Sequence, residues 1–312
     1  MAPDMSQGWR AVLVWPARFA MQGPLQAVTQ LLLLAVISLM FLPLIYVCGA
    51  LVALLAMQLG LSKAAMPVIG AACLLAACTA LLLGTPWAGI GLAAVVWLPA
   101  LLLGSAVGSF GALSSGLQWL MLACLLVTSG FYVILPNPIS WWKSLLNHYV
   151  QSAQTEDWWR NMGLDPQKLA EGLAAYMPGS LGMGLFLGFA ICLLLGRYWQ
   201  AALYRPGAFG EEFRVLAFGR VPAVALGLLL LIGMMQVIAA INLAMVLLAV
   251  FMLQGLAVAH ALVKARNIST WWLAALYGAL MLIPQSVILV AALGASDNWM
   301  NWRIMGSGRF QG

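Results

Sequence analysis

Inside the long apolar stretches of this 312-residue chain, the side chains able to do chemistry are neutral. Gln30, Thr79, Gln118, Ser129, Gln236, Asn242, Gln254 and Gln285 interrupt runs of Leu, Ala and Val, and His260 joins them. An amide carries both donor and acceptor, so these residues can orient an uncharged or amphipathic small molecule, or tie one helix to the next. Left unpaired in hydrocarbon each would cost free energy, so each must bond to a neighbour or line a cavity. Gln236, Gln254, His260 and Gln285 are the residues expected to contact a ligand. His260 stands six residues after Gln254 and just ahead of Lys264 and Arg266.

Charged and nucleophilic chemistry is sparse. The eight acids (Asp4, Glu156, Asp157, Asp165, Glu171, Glu211, Glu212 and Asp297) all fall in expected connections or tails, which counts against a carboxylate-driven pump. Asp297 is the exception of interest. It follows the last expected span and precedes Arg303 by six residues, so the two can pair across a turn. The competing reading makes Asp297 the N-cap of an interfacial helix anchored by Trp299 and Trp302. No GxxxxGK[ST], HExxH or GxSxG pattern occurs, and His148 and His260 are too few for a metal site. Cys48, Cys73, Cys78, Cys124 and Cys192 lie in apolar runs without a CxxC pair and read as small core residues. The expectation is a protein that is not an enzyme and needs no cofactor or metal of its own.

The elements that hold these groups follow from composition. With 64% hydrophobic and 7% charged residues, against about 25% charged in soluble domains, the chain belongs in a bilayer. Between Arg18 and Lys143 the only formal charge is Lys63. A span takes roughly 20 apolar residues. The run from Leu25 to Gly60 is too long for one, and Pro43 divides it. Further spans are expected at about Ala65–Leu83, Ala88–Gly104, Ala112–Leu135, Gly179–Trp199, Val221–Ile238, Ile241–Val263 and Thr270–Leu293. The fold class is therefore an all-α polytopic membrane bundle of about nine helices, or eight if the first pair is one tilted helix. It is a single membrane domain over 1–312. Small residues at four-residue spacing (Ala72, Ala76 and Ala80; Gly104 and Gly108; Gly184 and Gly188) let backbones approach.

Basic residues set the sidedness. A cytoplasmic amino terminus gathers Arg10, Arg18, Lys63, Arg197, Arg205, Arg214, Arg220, Lys264 and Arg266 on the inside, including the cytoplasmic loop 197–220. The fourteen basic residues are scattered instead of forming a stripe, so the net charge of +6 does not indicate nucleic acid. Trp87, Trp119, Trp199, Trp271 and Trp272 fall near span ends, where indole suits the headgroup zone. The extracytoplasmic loop 136–178 carries two amphipathic helices, one capped by Ser140 with Trp142, Leu145, Leu146, Tyr149 and Val150 on a face. The other is capped by Asp165 ahead of Pro166, with a stripe of Leu169, Leu173 and Tyr176. They serve as a cover, a lid or a docking element on the membrane surface.

The block GLAVAHALVKARNIS and the ending LGASDNWMNWR, through Gly255, His260, Lys264, Arg266, Gly294, Asp297, Trp299 and Arg303, resemble the YybS-like family of bacterial predicted membrane proteins, a domain of unknown function. Asn301 and Trp302 replace that family's usual acid and phenylalanine. The hydropathy of the family is similar to that of the substrate-binding membrane subunits of energy-coupling-factor transporters, which rely on separate ATPase subunits. The resemblance implies a bacterial inner-membrane subunit that binds a small neutral or amphipathic ligand for transport, with partner membrane or ATPase subunits supplying energy. The alternative is a non-transporting scaffold or regulatory membrane protein that binds partner proteins. A closed cavity lined by Gln236, Gln254 and Gln285 would favour the first, and a solid bundle the second.

Overall fold

The computed structural model describes residues 5–152, 162–163 and 165–305. Asp4, Glu156, Asp157, Arg160 and Arg309 lie outside them. All regular structure among the described residues is helical. In chain order the helices are α1 (Met5–Ala20), α2 (Pro24–Met40), α3 (Leu44–Leu59), α4 (Leu61–Leu83), α5 (Trp87–Phe110), α6 (Leu113–Ile134), α7 (Pro138–Ser152) and α8 (Pro166–Ala174). They continue with α9 (Met177–Tyr204), α10 (Ala208–Arg214), α11 (Arg220–Met234), α12 (Ile238–Ala265), α13 (Trp271–Leu282), α14 (Ser286–Met300) and α15 (Trp302–Met305). Among the described residues α4, α5, α6, α9 and α12 are long and apolar enough to cross a membrane. The helices α2, α3, α11 and α13 are apolar but shorter.

Prolines set the breaks. The chain turns at Phe41–Pro43 between α2 and α3, as the proline expected to divide that run requires. The span expected over Thr270–Leu293 is not continuous. It breaks at Ile283–Gln285, where Pro284 cannot donate to the ladder and Ile283 adopts an extended backbone. In α5, Pro99 is instead accommodated inside the helix by a π-helical turn over Ala93–Trp97. The wider turn relieves the missing donor and the ring's clash with the preceding turn.

The chain divides into two compact units, and the boundaries fall inside α6, inside α9 and between α10 and α11. The first comprises residues 1–120 and 188–216. Its axis is α3, where every residue from Cys48 to Met57 is buried. Helix α5 crosses α3 closely because Gly104 and Gly108 bear no side chain: a Cβ on either would lie 2.7 Å from Ala53 O or 2.8 Å from Met57 O. This is the close approach expected of that glycine pair. Gly184 of the other pair has open space around it. The amphipathic α1 buries Val14, Ala17 and Ala20 and turns Val12, Leu13 and Trp15 outward. Trp199, expected as an interfacial anchor, is buried, and its indole donates to Leu13 O at 2.9 Å.

The second unit, residues 121–187 and 217–312, is built on α12. Asn242, one of the neutral residues of the spans, is fully buried and accepts from Gly179 N. It donates to Tyr132 Oη and Ala175 O, each at 2.8 Å, and so joins α6, α9 and α12. The two amphipathic helices are present with altered details. Asn137, not Ser140, caps α7: it accepts from Ser140 N at 3.0 Å, because Pro138 suits the first helical position and starts the helix earlier. Asp165 caps α8 as expected, accepting from Gln167 N at 3.0 Å. The buried face of α8 is Ala170 and Ala174, while Leu169, Leu173 and Tyr176 point outward. Lys143 and Glu171 pair across the two helices at 2.6 Å.

Candidate functional site

Helix α12 has 28 residues, about 42 Å at 1.5 Å per residue and longer than the roughly 30 Å hydrocarbon core. Its flanking helices α11 and α14 have only 15 residues each, about 22 Å. Both end beside the interior of α12. At the start of α11, Phe218 N donates to Gln254 Oε1 at 2.9 Å. Gln254 is fully buried and stands about 24 Å along the axis from Ile238 and about 17 Å from Ala265. The rings of Phe186, Phe218 and Phe251 pack edge to face around this point, at centroid distances of 6.3 and 6.4 Å. The irregular backbone at Phe218 and Gly219 thus has its donor satisfied by a side chain within the protein, the condition on which non-helical chain is tolerated where water is excluded.

Helix α14 runs antiparallel to α12. Gly255 faces Val290, and Gly294 faces Phe251 and Gly255, so the two backbones touch. The register carries Asp297 to the same interior stretch. Asp297 is 6% exposed, and Arg303 Nη2 reaches its Oδ2 at 3.0 Å. The six-residue spacing therefore forms the pair expected of it. Asp297 is not an N-cap: it lies within α14, which continues to Met300 and ends at Asn301 in a left-handed conformation. Trp302 turns its indole back to Ser296 Oγ at 3.0 Å. Arg220 Nε donates to Asn298 O at 3.0 Å, so a cation at the start of α11 meets the negative end of the α14 dipole.

Two buried atoms of this cluster have no partner among the described residues: the acceptor Asp297 Oδ1 and the donor Gln254 Nε2. Native interiors leave few such atoms, and those that persist commonly meet a water or a ligand. Asp297 Oδ1 can accept from a hydroxyl or an amide, and Gln254 Nε2 can donate to one.

The four residues expected to contact a ligand are not drawn together. Gln236 sits in the turn between α11 and α12, exposed, with a left-handed φ of 61°. Gln285 lies in the exposed break before α14. His260 is half-buried, with Nδ1 at 2.9 Å from Leu256 O and its ring 5.9 Å from that of Tyr277. Only Gln254 joins the polar cluster. Lys264 and Arg266 stand exposed at the end of α12, where cations complement the helix dipole. Arg220 was expected only as a positive charge ahead of the span from Val221; its bond to Asn298 O, 78 residues further on, has no local signature in the sequence.

Residues 218–298, about a quarter of the chain, match the family model described as "Predicted membrane protein (DUF2232)". This is a membrane protein. No curated protein and no solved structure matches the chain. The matched segment runs from Phe218 to Asn298, the two ends that meet at the polar cluster, and takes in Gly255, His260, Lys264, Arg266, Gly294 and Asp297. Trp299 and Arg303 lie just beyond it.

Proposed function

We propose that this chain is the small-molecule-binding membrane subunit of a bacterial inner-membrane transport system that has no ATPase of its own. In this reading the amino terminus is cytoplasmic, the shorter apolar helices also enter the bilayer, and α7 and α8 cover the outer surface. The resemblance to the YybS-like proteins and to the energy-coupling-factor binding subunits points the same way. The observation that carries the reading is Asp297, a buried carboxylate with one oxygen held by Arg303 and the other without a donor among the described residues. It stands where two half-length helices end beside a long one, an arrangement used for substrate sites in transporters. The ligand is small and neutral or amphipathic, and its hydroxyl or amide donates to Asp297 Oδ1.

Asp297→Asn alone would remove the carboxylate that Arg303 pairs with, so the test uses Asp297→Asn combined with Arg303→Gln, which removes both charges at nearly constant volume. The full-length chain, extracted in mild detergent, is examined by native mass spectrometry for co-purifying small molecules. A molecule carried by the wild type and lost from a double variant of normal thermal stability supports the reading. Equal retention by both, or no small molecule on the wild type, overturns it.

A second reading has its own support. Asn242 spends its hydrogen bonds inside the protein, the amide oxygen of Gln254 is taken by Phe218 N, and Gln236 and Gln285 are exposed at turns instead of lining one cavity. That pattern suits a membrane scaffold or regulatory protein, for which a stoichiometric partner protein would co-purify without a small molecule.

A further inference from the structure

The first unit holds a cavity of about 300 Å³ at the end of α9, lined by Gln58, Arg197, Gln200, Tyr204 and Arg205 among others. Its polar groups are already organised. Gln200 Nε2 donates to Gln58 Oε1 at 3.1 Å, which bridges α9 to the end of α3. Arg197 is fixed on three sides: Nε on Glu212 Oε2 at 2.7 Å, Nη1 on Gln200 Oε1, and Nη2 on Gly111 O at 3.4 Å. The second carboxylate oxygen of Glu212 accepts from Leu113 N at 2.6 Å, so this acid is committed to Arg197 and to the start of α6. Glu212 offsets the charge of Arg197. Arg205 is exposed, has no ion pair among the described residues, and leaves the cavity net positive.

The depth of the cavity follows from α1. That helix turns Val12, Leu13 and Trp15 outward while Arg18 is also exposed, the pattern of a helix lying in the headgroup plane. Its Leu13 carbonyl accepts from Trp199, which follows Arg197 on α9 and precedes Arg205 just past the end of that helix. With α1 in the headgroup plane, residues 197–205 stand at headgroup depth. A net-positive cavity between membrane helices at that depth matches the chemistry of anionic headgroups, and its volume is at the low end of small-molecule sites.

We propose that this cavity binds the phosphate group of an anionic phospholipid. Arg205 supplies the charge, Gln58, Gln200 and Tyr204 supply neutral hydrogen bonds, and the acyl chains run along the exposed apolar surface outside. The free source of the same chemistry is inorganic phosphate, and the experiment separates the two.

The full-length chain is delipidated in detergent, titrated with phosphatidylglycerol, phosphatidylcholine or inorganic phosphate, and its bound species are counted by native mass spectrometry. Wild type is expected to hold phosphatidylglycerol in preference to phosphatidylcholine. Arg205→Gln should weaken that binding about fivefold, the worth of one basic residue at an anionic surface, and Arg205→Lys should restore most of it. Arg205 is exposed, so both variants should melt with the wild type, and a Tm measured alongside checks this. Equal binding of the two lipids, or Arg205→Gln binding as tightly as wild type, overturns the site. Saturation by inorganic phosphate that blocks the lipid at equal concentration overturns the lipid assignment.

Discussion

Replacing Gly294 by alanine tests the helix contact on which the polar cluster depends. A methyl group there would lie 2.5 Å from Gly255 N and 3.1 Å from Gly255 Cα, and would also meet Phe251 O. Carbon contacts are most favourable at about 3.5–4.0 Å, so α14 would have to withdraw from α12 by about 1 Å. The obstructing atoms are backbone, which cannot swing aside as a side chain can. Overpacking costs about 1–3 kcal/mol, and this case belongs at the upper end. Alanine returns roughly 0.5–1 kcal/mol of helix propensity. The net expectation is a loss of about 2 kcal/mol, or roughly 4–8 °C in Tm for units of this size. The assay is thermal unfolding of the detergent-solubilised chain, followed by intrinsic fluorescence. Gly227→Ala and Gly278→Ala are the controls, because a Cβ at either meets nothing within 4 Å. They should be neutral or slightly stabilising. If Gly294→Ala melts with the wild type, or if the controls fall as far as it does, α14 and α12 do not touch as described and the burial of Asp297 against α12 loses its basis.

Asn242→Leu should destabilise by about 3 kcal/mol, since it removes bonds to Gly179 N, Tyr132 Oη and Ala175 O at about 1 kcal/mol each. Tyr132→Phe removes one of them and should cost about 1 kcal/mol, and equal Tm losses for the two variants would refute the shared role. Sidedness is checked by single cysteines in a background without the native five. A cysteine replacing Lys168 should react with an impermeant maleimide on intact cells, and one replacing Glu211 only after permeabilisation; the opposite pattern would reverse the orientation.

Several features could be read locally. A composition with 7% charged residues leaves no fold in water, so membrane residence needed no coordinates. Asp165 ahead of Pro166 specified its own helix start, because cap and first turn are adjacent in the chain. Pro43 marked a real break, and the same reasoning applied to Pro284 would have divided the last span; the long apolar run around Pro284 hid it. The Asp297 to Arg303 pair was also visible, since six residues and one turn suffice to join them.

What the sequence could not determine was which apolar faces meet lipid and which meet protein. Leu, Ala and Val lose little by either choice, so hydropathy marks a span without marking its neighbours. Only the packed structure shows that α12 is buried along most of its length and that Gln254 gives its amide oxygen to Phe218 N while its Nε2 has no partner among the described residues. Likewise it shows that the carboxylate assigned to a tail lies beside the middle of a 28-residue helix. Hydrogen-bond partners drawn from opposite ends of the chain are fixed by helix register, and register follows from where backbones can touch, here at Gly255 and Gly294.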